Sequence, residues 1–170
     1  FENEPIFFDL NGTVTDYATG EPIISSLITI KDVANDEEPL FLITDEKGHY
    51  FTPLKENTQY FLKAQKKSYQ ASAASVTTKG LTETTHLLQD FVLDVIPGED
   101  VVIEGIEYDL NKATLRPKSM EILDKIYDYL VLNDNFSIEI NAHTDTRGSD
   151  KANQILSQAR AQSCVDYLIG

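Results

Sequence analysis

Asn141-Ala142-His143-Thr144-Asp145-Thr146-Arg147-Gly148-Ser149 carries the chain from an alternating pattern into a helical one, and that change of period decides how the second half folds. Before it, Ile138, Ile140 and Ala142 alternate with Ser137, Glu139 and Asn141, which predicts a half-buried strand. After it, Ser149 is suited to cap a helix that runs to about Leu168, with Gly170 as its stop. Within that helix Asn153, Ser157, Arg160 and Cys164 are spaced by four, three and four and share one face, beside an apolar stripe of Ala152, Ile155, Leu156 and Ala159. Gly148 permits a sharp turn between strand and helix, and ligands commonly bind where strands give way to such loops. Asp145 and Arg160 would then face one crevice. A carboxylate recognises an ammonium and a guanidinium recognises a carboxylate, so the pair has the chemistry of a receptor for a small zwitterion. The alternative is that the two pair with each other and merely fix the loop; spacing leaves both open.

Working outward, Val101 to Tyr108 reads as a strand and Pro117 as the first turn of a helix. In that helix Met120, Leu123, Ile126, Tyr127 and Leu130 recur at three and four, and Asn133-Asp134-Asn135 ends it. The second half is therefore β-α-β-α, with right-handed crossovers. The first ninety or so residues contain strands instead. Phe7, Leu10 and Val14 lead to a turn at Asp16 to Pro22, and Ile23 to Ile30 is a β-branched run. Phe41-Leu42-Ile43, the turn Asp45-Glu46-Lys47-Gly48 and His49-Tyr50-Phe51 form a hairpin signal, with glycine where positive φ is needed. Tyr60, Leu62 and Ala64 alternate with Phe61 and Lys63, and Thr85 to Leu93 supplies a last strand. Short strands at regular spacing predict a β-sandwich. Punctuation and local acidity coincide at Pro97-Gly98-Glu99-Asp100, which divides the chain into domains 1–97 and 98–170 of an α+β protein.

Both parts are acidic. Residues 1–97 hold 7 Lys and no Arg against 15 Asp and Glu, and residues 98–170 hold 4 Lys and 3 Arg against 13. A nucleic-acid backbone or an anionic membrane surface is a poor partner for either. Arginine, whose planar fork matches a carboxylate, is confined to the second part as Arg116, Arg147 and Arg160. Cys164 is the one cysteine, so no disulfide within the chain is available, and its apolar helical setting marks a small core residue. There is no run long enough to span a bilayer and no basic-then-apolar leader. The abrupt start at Phe1 is read as that of a fragment whose targeting or anchoring segment lies upstream; the native N-terminus, by mass spectrometry, tests this.

Catalytic readings find little support. His49, His86 and His143 are scattered, without a His-Glu-x-x-His pattern or a cysteine pair, so neither a metal nor another cofactor is expected. His143, Asp145 and Ser149 lie in one loop without a Gly-x-Ser-x-Gly elbow, and proximity in sequence does not make a triad. His143 is read as a strand-end residue orienting the loop. Asp32, Asp36, Glu37 and Glu38 lack the calcium-loop pattern and are read as a solvated acidic loop.

Tyr108-Asp109-Leu110-Asn111-Lys112-Ala113-Thr114-Leu115, then His143-Thr144-Asp145, Gly148, Asn153, Leu156-Ser157 and Arg160-Ala161, resemble the OmpA-like peptidoglycan-binding domain over about residues 101 to 169. The resemblance implies that Asp145 takes the ammonium and Arg160 a carboxylate of the diaminopimelate in a peptidoglycan stem peptide. It makes Leu110, Asn111, Thr144 and Asn153 supporting contacts. That family continues past its second helix with further strands and an arginine-containing segment, so the resemblance implies an α/β sandwich lacking its last strands, with an open sheet edge.

In the first part, Gly12-Thr13-Val14-Thr15-Asp16, Thr19-Gly20-Glu21-Pro22, Thr44-Asp45, Gly48-His49-Tyr50 and Tyr69 resemble the carboxypeptidase-regulatory-like β-sandwich found beside OmpA-like domains in envelope proteins of Bacteroidota. Together the two resemblances imply a non-enzymatic protein of the periplasm, associated with the outer membrane. It would grip the cell wall without a covalent bond and tie an outer-membrane protein or a secretion assembly, such as the type IX machinery, to peptidoglycan. The other function class is a structural or interaction protein whose sandwich contacts a protein partner and whose crevice is vestigial.

Overall fold

The computed structural model describes residues 5–98, 102–135, 137–144 and 148–170. The chain divides into two compact units, Phe1–Gly98 and Glu99–Gly170. The first is all strand and the second carries two helices, so the fold is α+β in two parts, as the sequence patterns require.

The first unit is a sandwich of two sheets. One is built on β1 (Phe8–Asp16), flanked by β4 (His49–Leu54) on one side and by β7 (Thr85–Leu88) and β8 (Phe91–Leu93) in succession on the other. The other runs β3 (Leu40–Ile43), β2 (Leu27–Asp32), β5 (Gln59–Gln65), β6 (Ser72–Thr77), all antiparallel. Strict alternation supplies the core: Leu10 and Val14 of β1, Ile28 and Ile30 of β2, Leu62 and Ala64 of β5, and Phe91 and Leu93 of β8 are buried between the sheets. The hairpin turn behaves as its composition demands. Gly48 has φ +69, and the Asp45 carboxylate accepts the backbone N–H groups of Lys47 and His49 at 2.9 Å each.

Three strand readings are corrected. The run from Ile23 becomes a strand only at Leu27. Ahead of it the backbone folds back at Ser25 (φ 54), and the buried Thr44 hydroxyl donates to Ile23 O while accepting Ser26 N–H. The span Thr85 to Leu93 is two strands, because the carbonyl of Gln89 turns inward over Gly12, where a Cβ would lie 1.8 Å from that oxygen. The Tyr50 hydroxyl, beneath the sheet, donates to the same carbonyl, so a buried acceptor is satisfied in place of a ladder bond. Finally, β6 went unread because Ser72-Ala73-Ala74-Ser75 has neither large apolar residues nor contrast between its faces.

In the second unit α1 spans Pro117–Leu132 and α2 spans Asp150–Ile169. Pro117 occupies the first turn, where its missing N–H costs nothing. Asn133 closes the helix by donating twice to Tyr129 O, from its backbone at 3.0 Å and its side chain at 2.8 Å. Ser149 caps α2 by accepting Ala152 N–H, and Gly170, with φ +89, follows its last residue. The core here is small: Leu115, Leu123 and Cys164 are buried, with Tyr108, Met120, Ile126, Tyr167 and Leu168 packed around them. The Tyr167 hydroxyl donates to Asp124 and ties α2 to α1.

The predicted β-α-β-α pattern holds for its helices and not for its strands. Among the described residues, 102–108 contain a turn at Glu104-Gly105 and one bridge, Tyr108 to Leu115, while 137–144 form no ladder. Alternation makes a segment extended, but a strand needs a neighbour for its N–H and C=O groups, and neither segment pairs with the other. The stripe expected on α2 is also shifted. Ile155 is 58 % exposed, and the buried face is carried by Cys164, Tyr167 and Leu168 near the other end.

Candidate functional site

The site is built around Arg160. Before it in the chain, Asp109-Leu110-Asn111-Lys112 forms a tight turn closed by Lys112 N–H donating to Asp109 O at 3.0 Å. Asn111 sits in that turn with φ 56, a conformation that asparagine tolerates better than most side chains. The turn leaves Leu110 87 % exposed, and it aims the carbonyl of Lys112 at α2, where Arg160 Nε donates to it at 3.1 Å. Under the guanidinium lies the ring of Tyr108, 4.8 Å from Cζ to centroid, a cation–π contact. The Tyr108 hydroxyl reaches past Arg160 into α2, where it donates to Arg160 O and meets Cys164 Sγ, both at 3.0 Å. Burial pushes this hydroxyl's pKa well up, the Cys164 hydrogen bond adds to that, and the nearby guanidinium pulls the other way.

The two described arginines are held by opposite means. Arg116 donates to Asp109 at 3.1 Å and to Glu107 at 3.2 Å, and the Asp109 bond leads in raising its pKa. Its charge is spent on carboxylates of its own chain. Arg160 is fixed by a ring and a carbonyl, and no described carboxylate lies within ion-pair distance of it. A guanidinium oriented in this way, with no carboxylate beside it among the described residues, has the chemistry of a receptor for an external anion.

The other predicted residues fall as follows. Leu110 and Asn111 share the turn whose last carbonyl binds Arg160. Asn153 lies on α2 about two turns before Arg160, roughly 10 Å along the axis, and its Oδ1 comes within 3.5 Å of the position a Cβ on Gly148 would take. Gly148 has φ +106, so the sharp turn expected there is present. Thr144 is half-buried, and among the described residues it makes no hydrogen bond to the Arg160 cluster. Asp145, the predicted partner of Arg160 in the site, lies outside the described residues. An open groove of about 600 Å³ flanks Arg160 without including it, lined by Ile140, Ala142, Ser157, Ala161 and Val165. Sequence reasoning missed Tyr108 and the Lys112 carbonyl as the supports of Arg160. Tyr108 read as one of several apolar strand residues, and a backbone acceptor has no signature in side-chain identity.

The described residues contain no group of three or more His, Cys, Asp or Glu placed to hold a metal ion. No described helix is long and apolar enough to cross a membrane. In the acidic loop, Asp32 accepts Ala34 N–H and the Asn35 amide, and Glu37 pairs with Lys55 at 2.7 Å, so these carboxylates have local partners.

Residues 108–170 match the model of the OmpA family. The second unit thus carries an OmpA family domain, and the turn, Arg160 and α2 all fall inside it. Over 64 residues, 36 % of this chain, it is 47 % identical to outer membrane protein A of Escherichia fergusonii and to that of Citrobacter freundii. The chain spans about a quarter of those relatives' length, 26 % and 27 %. Among solved structures, 3-chlorocatechol 1,2-dioxygenase from Rhodococcus opacus 1CP is similar at a TM-score of 0.43 and 10 % identity, covering 56 % of this chain and 62 % of that one. A likeness that distant carries no functional argument.

Proposed function

We propose that the OmpA domain of this protein grips peptidoglycan non-covalently, through the diaminopimelate of the stem peptide. Arg160 takes a carboxylate of that residue and Asp145 its ammonium, with Leu110, Asn111, Thr144 and Asn153 as supporting contacts. The observation that carries the reading is the contrast between Arg116, neutralised by Asp109 and Glu107, and Arg160, oriented by Tyr108 and Lys112 with no described carboxylate beside it. On this reading the site is a grip and not a catalyst. The protein then acts in the periplasm, tying an outer-membrane protein or a secretion assembly, of the type IX kind, to the wall. The first unit serves as a carboxypeptidase-regulatory-like spacer.

A second reading gives the first unit a protein partner. It is supported by β3, an edge strand whose Phe41 and Ile43 are 57 % and 61 % exposed.

The primary reading is tested by co-sedimentation with purified sacculi containing diaminopimelate. The parent chain is retained, and Asp145→Ala and Arg160→Ala each abolish retention. Variants that sediment like the parent would remove the site assignment.

A further inference from the structure

The ring of Tyr108 meets the Arg160 guanidinium at 4.8 Å, and the hydroxyl of the same side chain donates to the Arg160 backbone carbonyl at 3.0 Å. A phenol has one proton. With that proton given to Arg160 O, the contact with Cys164 Sγ at 3.0 Å is one in which the thiol donates. One residue thus touches both ends of Arg160, while its hydroxyl locks the ring to α2 beside a buried cysteine.

We propose that Tyr108 is the positioning residue of the carboxylate receptor, its ring face holding the Arg160 guanidinium so that both terminal nitrogens are presented together to a ligand carboxylate. The inference rests on reading Arg160 as that receptor. The donor inventory supports it. Of the five guanidinium donors, the one at Nε is spent on Lys112 O, and the four on the terminal nitrogens form a planar fork with no acceptor among the described residues. A long, free arginine must be ordered when a ligand binds, which weakens affinity; a ring below and a carbonyl at Nε order it beforehand. The role of Tyr108 is to position Arg160. Its effect passes through Arg160 and therefore falls on the ligand group that Arg160 recognises.

This predicts a change in selectivity, which a merely structural role would not produce. The test uses the full chain and two soluble stem tripeptides, one with meso-diaminopimelate and one with lysine, which lacks the side-chain carboxylate, titrated by calorimetry. Tyr108→Leu should weaken the diaminopimelate peptide by about threefold to thirtyfold and the lysine peptide by less than about twofold, while Tyr108→Phe, which keeps the ring, stays within about threefold of the parent on both. In the ligand-free protein, the Arg160 Nε proton should exchange with water faster in Tyr108→Leu than in the parent, as read by nuclear magnetic resonance.

If Tyr108→Leu fails to fold, ring-fluorinated phenylalanine at 108, compared with Tyr108→Phe, keeps the shape and drains the negative ring face; it should lower selectivity in the same direction. A parent that prefers the diaminopimelate peptide, loses it on Arg160→Ala and keeps it unchanged in Tyr108→Leu or the fluorinated variant overturns the positioning role and leaves the receptor standing. A parent that binds neither peptide, or both equally, overturns the receptor reading and this proposal with it.

Discussion

Arg160 Nε donates to the carbonyl oxygen of Lys112 at 3.1 Å, joining a helix to a turn 48 residues earlier in the chain. That bond makes the conformation of the turn part of the arginine's environment. Asn111 holds the turn at φ 56, where a β-branched side chain is strained. Asn111→Val is therefore expected to destabilise the second unit by about 1–3 kcal/mol, whereas Asn111→Gly stays close to the parent. Urea unfolding followed by tyrosine fluorescence separates the two. If valine were accepted without loss, the turn would not be constraining the Lys112 carbonyl.

The proposed ligand sets a second expectation. A wall with lysine in place of diaminopimelate lacks the extra carboxylate, so retention on such sacculi should fall. The loss of a charge-assisted bidentate contact, of about 1.5–3 kcal/mol, corresponds to roughly tenfold or more in affinity. Binding curves on the two kinds of sacculi at one ionic strength measure it. Equal affinity would mean that Arg160 does not read that carboxylate.

How far these features could be foreseen depended on whether they were written in side chains. Helix ends were legible because Pro117, Asn133 and Ser149 act locally, through a missing donor, an amide and a hydroxyl. The sandwich core was legible because β1, β2 and β5 alternate. Strands in the second unit were misread, since among the described residues 102–108 make a single bridge, Tyr108 to Leu115, and 138–142 form no ladder, although both have the right period. Arg160 could be singled out as an unusual charge. Its supports could not, because a carbonyl 48 residues away and a ring beneath it are consequences of packing.

Packing also sets a prediction in the first unit. Gly12 allows the Gln89 carbonyl to turn inward, and Tyr50 satisfies it. Gly12→Ala places a methyl 1.8 Å from that oxygen, so the β7–β8 junction must move. Overpacking of this kind costs about 1–3 kcal/mol or more. Tyr50→Phe leaves the carbonyl without its donor, at about 1–3 kcal/mol. Because both act on one oxygen, the double variant should lose less than the two losses added together. A strictly additive double-mutant cycle, from urea midpoints, would separate Gly12 and Tyr50 into independent sites.

The acid limb of stability in the first unit follows from two turn carboxylates. Asp16 is held below its ordinary value of 3.8 chiefly by the Thr19 backbone N–H, then by the Tyr69 hydroxyl. Asp45 is lowered first by the His49 N–H and then by that of Lys47. In both the folded pKa lies below the unfolded one. The stability they contribute is therefore fully present above the ordinary aspartate range and is lost as pH falls through the lower folded values. Asp16→Asn and Asp45→Asn keep much of the shape and remove the titration. Each variant should be less stable than the parent at neutral pH, and the gap should narrow as pH falls from about 5 towards 2. Thermal melts of the first unit across that range read the slope directly. A gap of constant size would mean that these carboxylates are bound no better as anions in the fold than in the unfolded chain.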